Sequence, residues 1–110
     1  MPDKPIINIV GTRCQPADDA KFNKWYNEVH IPMLFKAKEM KAVARYKVVG
    51  EAHGQPTYVA IYKFDSLAAF EKFGKGPEMD AARKEMNETW GQKIEIASRV
   101  QYELIKEWEK

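Results

Sequence analysis

The order of periodic segments predicts an α+β fold of the ferredoxin-like kind, β-α-β-β-α-β, with a four-stranded antiparallel sheet and helices on one face. Three observations carry this reading. Strand-like runs stand at 6–10, 42–50, 58–64 and 94–104. Helical stripes separate the first run from the second and the third from the fourth. Proline, glycine and short polar residues fall at the joints. The chain has 110 residues, which suits one domain, 1–110, large enough for a core.

Each element has its own signal. Pro5 opens Ile6-Ile7-Asn8-Ile9-Val10, apolar on both faces and rich in β-branched residues, as in a central strand covered on both sides. Pro16, Asp18 and Asp19 mark a helix start. At about 100° per residue, Phe22, Trp25, Tyr26, Val29 and Met33 share one side of that helix. Pro32 has no N–H to donate and disfavours helical torsions at Ile31, so the regular helix should end or kink near His30, with a kinked continuation to Phe35. In 42–50, Ala44, Tyr46 and Val48 alternate with Arg45 and Lys47, as in a half-covered strand with a charged, solvated side. Gly50 to Pro56 reads as a hairpin loop, with His53 at its solvated tip.

In the third strand, Tyr58, Ala60, Tyr62 and Phe64 share a face opposite Val59 and Ile61. Ser66 is a good N-cap for a short helix presenting Leu67, Phe70 and Phe73. Gly74 and Gly76 end it. Pro77 suits the first turn of another helix and Gly91 its exit, with Met79, Ala82, Met86 and Trp90 at helical spacing between them. In the last strand Ile94, Ile96, Val100, Tyr102 and Leu104 fall on one side, interrupted by Ser98, and Glu95, Arg99, Gln101 and Glu103 on the other.

Composition excludes several classes. The sequence is 45% hydrophobic and 31% charged, with a formal net charge of +2, too small to argue for nucleic acid or an anionic membrane. The basic run Lys36, Lys38, Lys41, Arg45 and Lys47 lacks interleaved stacking aromatics and reads as a solvated edge. No apolar run reaches the length of a membrane span, and the start, Met-Pro-Asp-Lys, lacks a signal-peptide core. A cytoplasmic protein is the simplest expectation. One cysteine, Cys14, permits neither an internal disulfide nor a cysteine metal cluster. No ligand spacing points to a metal, and no glycine-rich phosphate loop is present. Neither a metal nor another cofactor is expected.

The chemistry concentrates around His30. It lies roughly 80° round from Phe22 on the helix, at the border of the buried stripe, and Tyr26 is its neighbour one turn back. The helix C-terminus favours imidazolium there, whereas burial favours the neutral ring. His30 fits a structural role, satisfying carbonyls freed by Pro32, and equally an acid/base role at a pocket rim. Asn8 is the polar residue of an apolar strand, and a buried amide without partners costs about 1–3 kcal/mol. It pairs either with a side chain in the sheet or with a ligand. Tyr26 and Tyr62 carry hydroxyls that need partners if buried. Trp25 reads as core.

The first and third strands are apolar on both faces, yet the predicted helices cover only one. The bare face calls for a second copy, sheet against sheet, so a homodimer is expected.

The Trp25-Tyr26-Asn27-Glu28-Val29-His30-Ile31-Pro32 string is similar to the W-Y-x-x-x-H-x-P signature of EthD-type proteins, in the dimeric α/β-barrel superfamily. Arg45-Tyr46 and Phe64-Asp65-Ser66-Leu67-Ala68-Ala69-Phe70 resemble that group too, and the element order matches over essentially the whole chain. The resemblance implies a two-subunit barrel with a pocket between sheet and helices in each subunit, and His30 near it. The named family is associated with ethyl tert-butyl ether degradation. Superfamily relatives include isomerases, cyclases, cofactor-free monooxygenases and some haem proteins, so the fold carries over further than any reaction. The expectation is a small cofactor-independent enzyme acting on a hydrophobic or aromatic carbonyl compound. His30 would be its acid/base, and Asn8, Tyr26 and Tyr62 would bind substrate. The competing expectation is a non-catalytic module that binds a hydrophobic small molecule or serves another enzyme.

Overall fold

The computed structural model describes residues 4–110; Met1 to Asp3, read above as part of a start without a signal sequence, lie outside the described residues. Four strands, β1 (Ile6–Cys14), β2 (Met40–Lys47), β3 (Tyr58–Phe64) and β4 (Ile94–Glu103), form one antiparallel sheet in the order β2-β3-β1-β4. This is the predicted ferredoxin-like α+β topology. Helix α1 (Asp19–Trp25) and α2 (Ile31–Leu34), joined by a π-helical turn (Tyr26–His30), pack on one face with α3 (Leu67–Gly74) and α4 (Pro77–Thr89). Ser66 caps α3 as expected, its Oγ accepting from Ala69 N at 3.1 Å.

The helix does not end at His30. Ile31 keeps helical torsions (φ −62°, ψ −46°), and its N–H reaches back five residues to the carbonyl of Tyr26. The wider turn absorbs Pro32, whose missing N–H is tolerable in the first turn of α2. A π turn also advances through less angle per residue than an α-helix. It therefore brings His30 back from the border towards the centre of the stripe. The imidazole is 7% exposed, where the sequence placed it at the rim.

Cross-strand rows assign the two sheet faces. Inward, Val43, Tyr62, Asn8 and Gln101 line up across all four strands, next to Arg45, Ala60, Val10 and Arg99. Outward, Ala44, Ile61, Ile9 and Val100 form a continuous apolar row, flanked by Tyr46, Val59, Ile7 and Tyr102. Among the described residues no helix covers that outer face. Beyond β4 the chain runs on without regular structure and leaves Ile105 91% and Trp108 76% exposed.

Two face assignments from the sequence are reversed. Arg45 points inward, while Ala44 and Tyr46 face outward. Its Nη1 and Nη2 donate to Asn27 Oδ1 (2.8 Å) and Asn23 Oδ1 (2.9 Å), and its guanidinium lies 4.3 Å from the Tyr26 ring centroid. That stacking and those two amides replace the solvent expected around the charge. In β4, the register against β1 shifts between Gly11 and Thr12, leaving Ala97 as an extra residue. Such a bulge turns every side chain beyond it to the opposite face. Ile94 and Ile96 therefore point to the helices, but Val100 and Tyr102 point outward, and Arg99 and Gln101 point in.

Gly11 makes the bulge region possible. A Cβ there would lie 2.4 Å from Pro56 Cγ and 2.6 Å from Ser98 Oγ. The proline ring cannot rotate away. Gly11→Ala is expected to lower stability by about 1–3 kcal/mol through overpacking, read as a fall in the urea midpoint. An unchanged midpoint would show that the β1/β4 contact is looser than described.

Candidate functional site

The buried stripe of α1 and the π turn, the inner sheet face, and helices α3 and α4 enclose an apolar cavity of about 220 Å³. All four sequence-derived candidates, His30, Tyr26, Asn8 and Tyr62, line it. The π turn supplies His30 and Tyr26, β1 supplies Asn8, and β3 supplies Tyr62. A larger cleft of about 530 Å³ lies on the other side of the molecule. Its walls include the chain's own exposed tail, so it belongs to the uncovered outer face and is not an enclosed site.

His30 is held by aromatic packing. Its ring stacks on Trp25 (centroids 4.8 Å apart, 25° between planes) and meets Tyr26 edge-on at 4.9 Å. Trp25 is itself fixed, because its Nε1 donates to Glu85 Oε1 at 2.9 Å from α4. Glu85 thus orients the indole that supports the imidazole. The Nδ1 atom of His30 is enclosed and has no hydrogen-bond partner among the described residues. Burial pushes the imidazole pKa down from 6.5 to about 4; nearby Glu85 pulls it up, and Arg45 pushes it further down. The ring is therefore neutral at neutral pH.

Behind it, the hydroxyls of Tyr26 and Tyr62 lie 3.1 Å apart and buried. Burial raises both phenol pKa values, that of Tyr62 strongly, with the neighbouring Tyr26 adding to the rise. Both stay protonated. One hydrogen serves the pair, and the acceptor's own hydrogen is left for a ligand. Asn8 has a partner in the sheet: its Oδ1 accepts from Gln101 Nε2 at 2.9 Å, which leaves the Asn8 amide donors free. The remaining wall is apolar, with Phe70, Phe73, Met79 and Met86 among its residues. Trp25, read as core, is buried and also lines the cavity.

Sequence reasoning missed Arg83, Arg99 and Gln101 as lining residues. Arg83 sits on an exposed turn of α4 and gave no sequence signal. The sequence pattern puts Arg99 and Gln101 on the side of β4 opposite Ile94 and Ile96, which line the cavity. The detectable hint was the interruption at Ser98, opposite Gly11 on β1. Cys14 lies outside the cavity; burial and the nearby Asp19 and Asp18 raise its pKa, which disfavours a thiolate. Among the described residues no group of three metal-ligating side chains occurs, and no helix is long and apolar enough to cross a membrane.

Solved structures share this architecture along nearly their whole lengths. An EthD family protein from Bacillus halodurans is 16% identical, with a TM-score of 0.69, covering 93% of this chain and 99% of its own. A heme-degrader, MhuD from Mycobacterium tuberculosis, solved with two hemes bound in its active site, is 13% identical with a TM-score of 0.72, covering 94% and 99%. A dimeric ferredoxin-like protein of unknown function from Thermobifida fusca is 18% identical with a TM-score of 0.59, covering 93% and 91%. At these identities the likeness is one of fold. No curated protein matches the chain in sequence. The EthD-like resemblance read from the helix string agrees with that shared fold, and a family model matches residues 6–104: the chain belongs to the family described as domain of unknown function DUF4286.

Proposed function

We propose that this protein is a small cofactor-independent enzyme that takes a proton from, or returns one to, a hydrophobic or aromatic carbonyl compound. Isomerisation, cyclisation and cofactor-free oxidation all begin with such a step. The observation that carries the reading is the neutral, buried imidazole of His30 on the wall of an apolar cavity, next to a pair of un-ionised phenols. The Nδ1 atom is enclosed, so a ligand in the cavity meets the ring through Nε2. His30 acts as the base. Developing negative charge on the carbonyl oxygen is met by the free Tyr26 or Tyr62 hydroxyl and the Asn8 amide. An engineered apolar cavity of about 150 Å³ admits benzene, so about 220 Å³ fits a substituted single ring.

One observation favours a second reading, a non-catalytic binding module. Among the described residues no carboxylate bonds His30, and Glu85 bonds Trp25 instead. A binder needs no oriented base. A thermal-shift screen of ring-sized ketones and aldehydes, followed by mass spectrometry of the binders after long incubation with the protein, separates the two. Chemical change that disappears in His30→Gln supports the enzyme. Binding without change supports the module. Ring-sized compounds that never raise the melting temperature would refute both.

The working form in this reading is a homodimer. The apolar row Ala44, Ile61, Ile9 and Val100 and the exposed Ile105 and Trp108 need cover, and a second copy offers the matching face. Light scattering on a sizing column is expected to give twice the chain mass at micromolar concentration, and the single-chain mass for Ile61→Glu. A native monomer under those conditions would rule the pairing out.

A further inference from the structure

The cavity is lined by seventeen residues, and none is acidic, although the chain has 16 Asp and Glu. Its charged lining residues are Arg83 from α4 and Arg99 from β4. Both are exposed, whereas Tyr26, His30, Tyr62 and Phe73 are buried. The guanidiniums therefore stand at the solvent end, one on the helix wall and one on the sheet wall. Arg99 has no ion-pair or hydrogen-bond partner for its side chain among the described residues. Arg83 has only an exposed contact with Asp80, 3.6 Å away on its own helix, a kind of pair that contributes little. The β-bulge at Ala97 is what turns Arg99 inward, across from Val10 and next to Gln101, the cross-strand partner of Asn8. Both guanidiniums are solvated at the mouth and free to turn to a ligand, and the planar fork of each matches a carboxylate.

We propose that the natural ligand of this cavity is a ring-sized apolar carboxylate, its body against the aromatic floor and its carboxylate held at the mouth by Arg83 and Arg99. This rests on the reading of the cavity as the substrate site and adds the class of substrate. Arg83 and Arg99 are specificity determinants; neither touches the reacting carbonyl.

Matched probes test it. 4-Isopropylbenzoate and 4-isopropylbenzamide have nearly the same shape and differ in charge. Their binding is followed by calorimetry and by amide NMR shifts of the lining residues. The acid is expected to bind about tenfold tighter or more, as a charge-assisted hydrogen bond would give. Arg99→Gln should remove most of that preference, weakening the acid far more than the benzamide. Raising salt to about 0.5 M should narrow the gap between the probes. Equal affinity for the two probes, or a preference that survives in the Arg83→Gln/Arg99→Gln double variant, overturns the carboxylate assignment while the cavity reading stands. The same holds if the matching phenylphosphonate binds tighter than the acid. If neither probe shifts the lining residues at millimolar concentration, the cavity reading falls and this proposal with it. Both arginines are exposed, so the variants should fold, and their circular dichroism and melting temperatures verify it.

Discussion

His30→Gln is expected to slow proton abstraction in the cavity by about 10²-fold, the lower end of the range for positioned general bases. The probe is 5-nitrobenzisoxazole, a neutral bicyclic compound. Loss of its one isoxazole C–H proton to a base breaks the ring N–O bond and releases a coloured cyanophenolate. A base of pKa about 4 is unprotonated at pH 7 but weak, which is why the lower end of the range applies. The pH profile makes the prediction specific. An exposed histidine would lose its base form as pH falls through 6.5; His30 should keep it until pH approaches 4. The rate should therefore be flat from about pH 8 to pH 5 and fall below that. The sign for stability follows from the same burial. Between about pH 6.5 and 4 the unfolded chain binds a proton that the folded chain refuses, so stability is intact above 6.5 and declines as pH falls towards 4. In His30→Gln that part of the decline should vanish, because glutamine does not titrate. A rate midpoint near pH 6.5, or a variant as fast as the native protein, would remove His30 from the chemistry.

The sequence went furthest where one physical requirement dominated each position. β-branched runs and turn residues are local, so the strand order and the Ser66 cap could be read without tertiary information. Helical periodicity made Tyr26 and His30 neighbours, and strand parity put Tyr62 on one face with Tyr58 and Phe64. Tyr26, His30 and Tyr62 are the residues the fold brings to one cavity. The misread positions are ones where two requirements coincide. Both faces of this sheet favour apolar residues, so Ile94 and Ile96 before the bulge and Val100 and Tyr102 after it have the same parity although they face opposite ways. Only Ser98 interrupts the pattern at the bulge, so Arg99 and Gln101 read as facing away from Ile94 and Ile96. Arg45 was misplaced for a related reason. A charge alternating with Ala44 and Tyr46 reads as solvated unless the aromatic floor beneath it is known. The π turn was equally hidden. Pro32 showed that the hydrogen-bond ladder had to change near His30, but ending the helix and widening one turn satisfy that constraint alike.

Phe22→Ala is expected to cost about 3–5 kcal/mol, the range for removing a fully buried aromatic ring. Phe22 is 0% exposed. Its ring centroid lies 5.4 Å from Tyr26, 5.8 Å from Tyr58, 6.1 Å from Trp90 and 6.3 Å from Trp25, so it touches the sheet and the end of α4 as well as its own helix. The Arg45 guanidinium lies 5.7 Å from its centroid. The four surrounding rings are large and flat, and three are held by other contacts: Tyr26 by Tyr62, Trp25 by Glu85, and Tyr58 by Asp19 and Asn23. They cannot collapse into the space a phenyl ring leaves, and an unrelaxed cavity adds its own cost to the lost transfer energy. Against a typical total stability of about 5–15 kcal/mol, the variant should sit near the edge of folding. Urea unfolding followed by tryptophan fluorescence measures it, since Trp25 and Trp90 both border the lost ring. Where the variant still folds, Tyr26 has lost one of its supports, so the Tyr26–Tyr62 contact should loosen and ring-compound binding weaken. A loss below about 1 kcal/mol, with binding intact, would mean that the cluster repacks freely. Phe22 would then not be what fixes the distance between the first helix and the sheet, and the cavity would owe its shape to other residues.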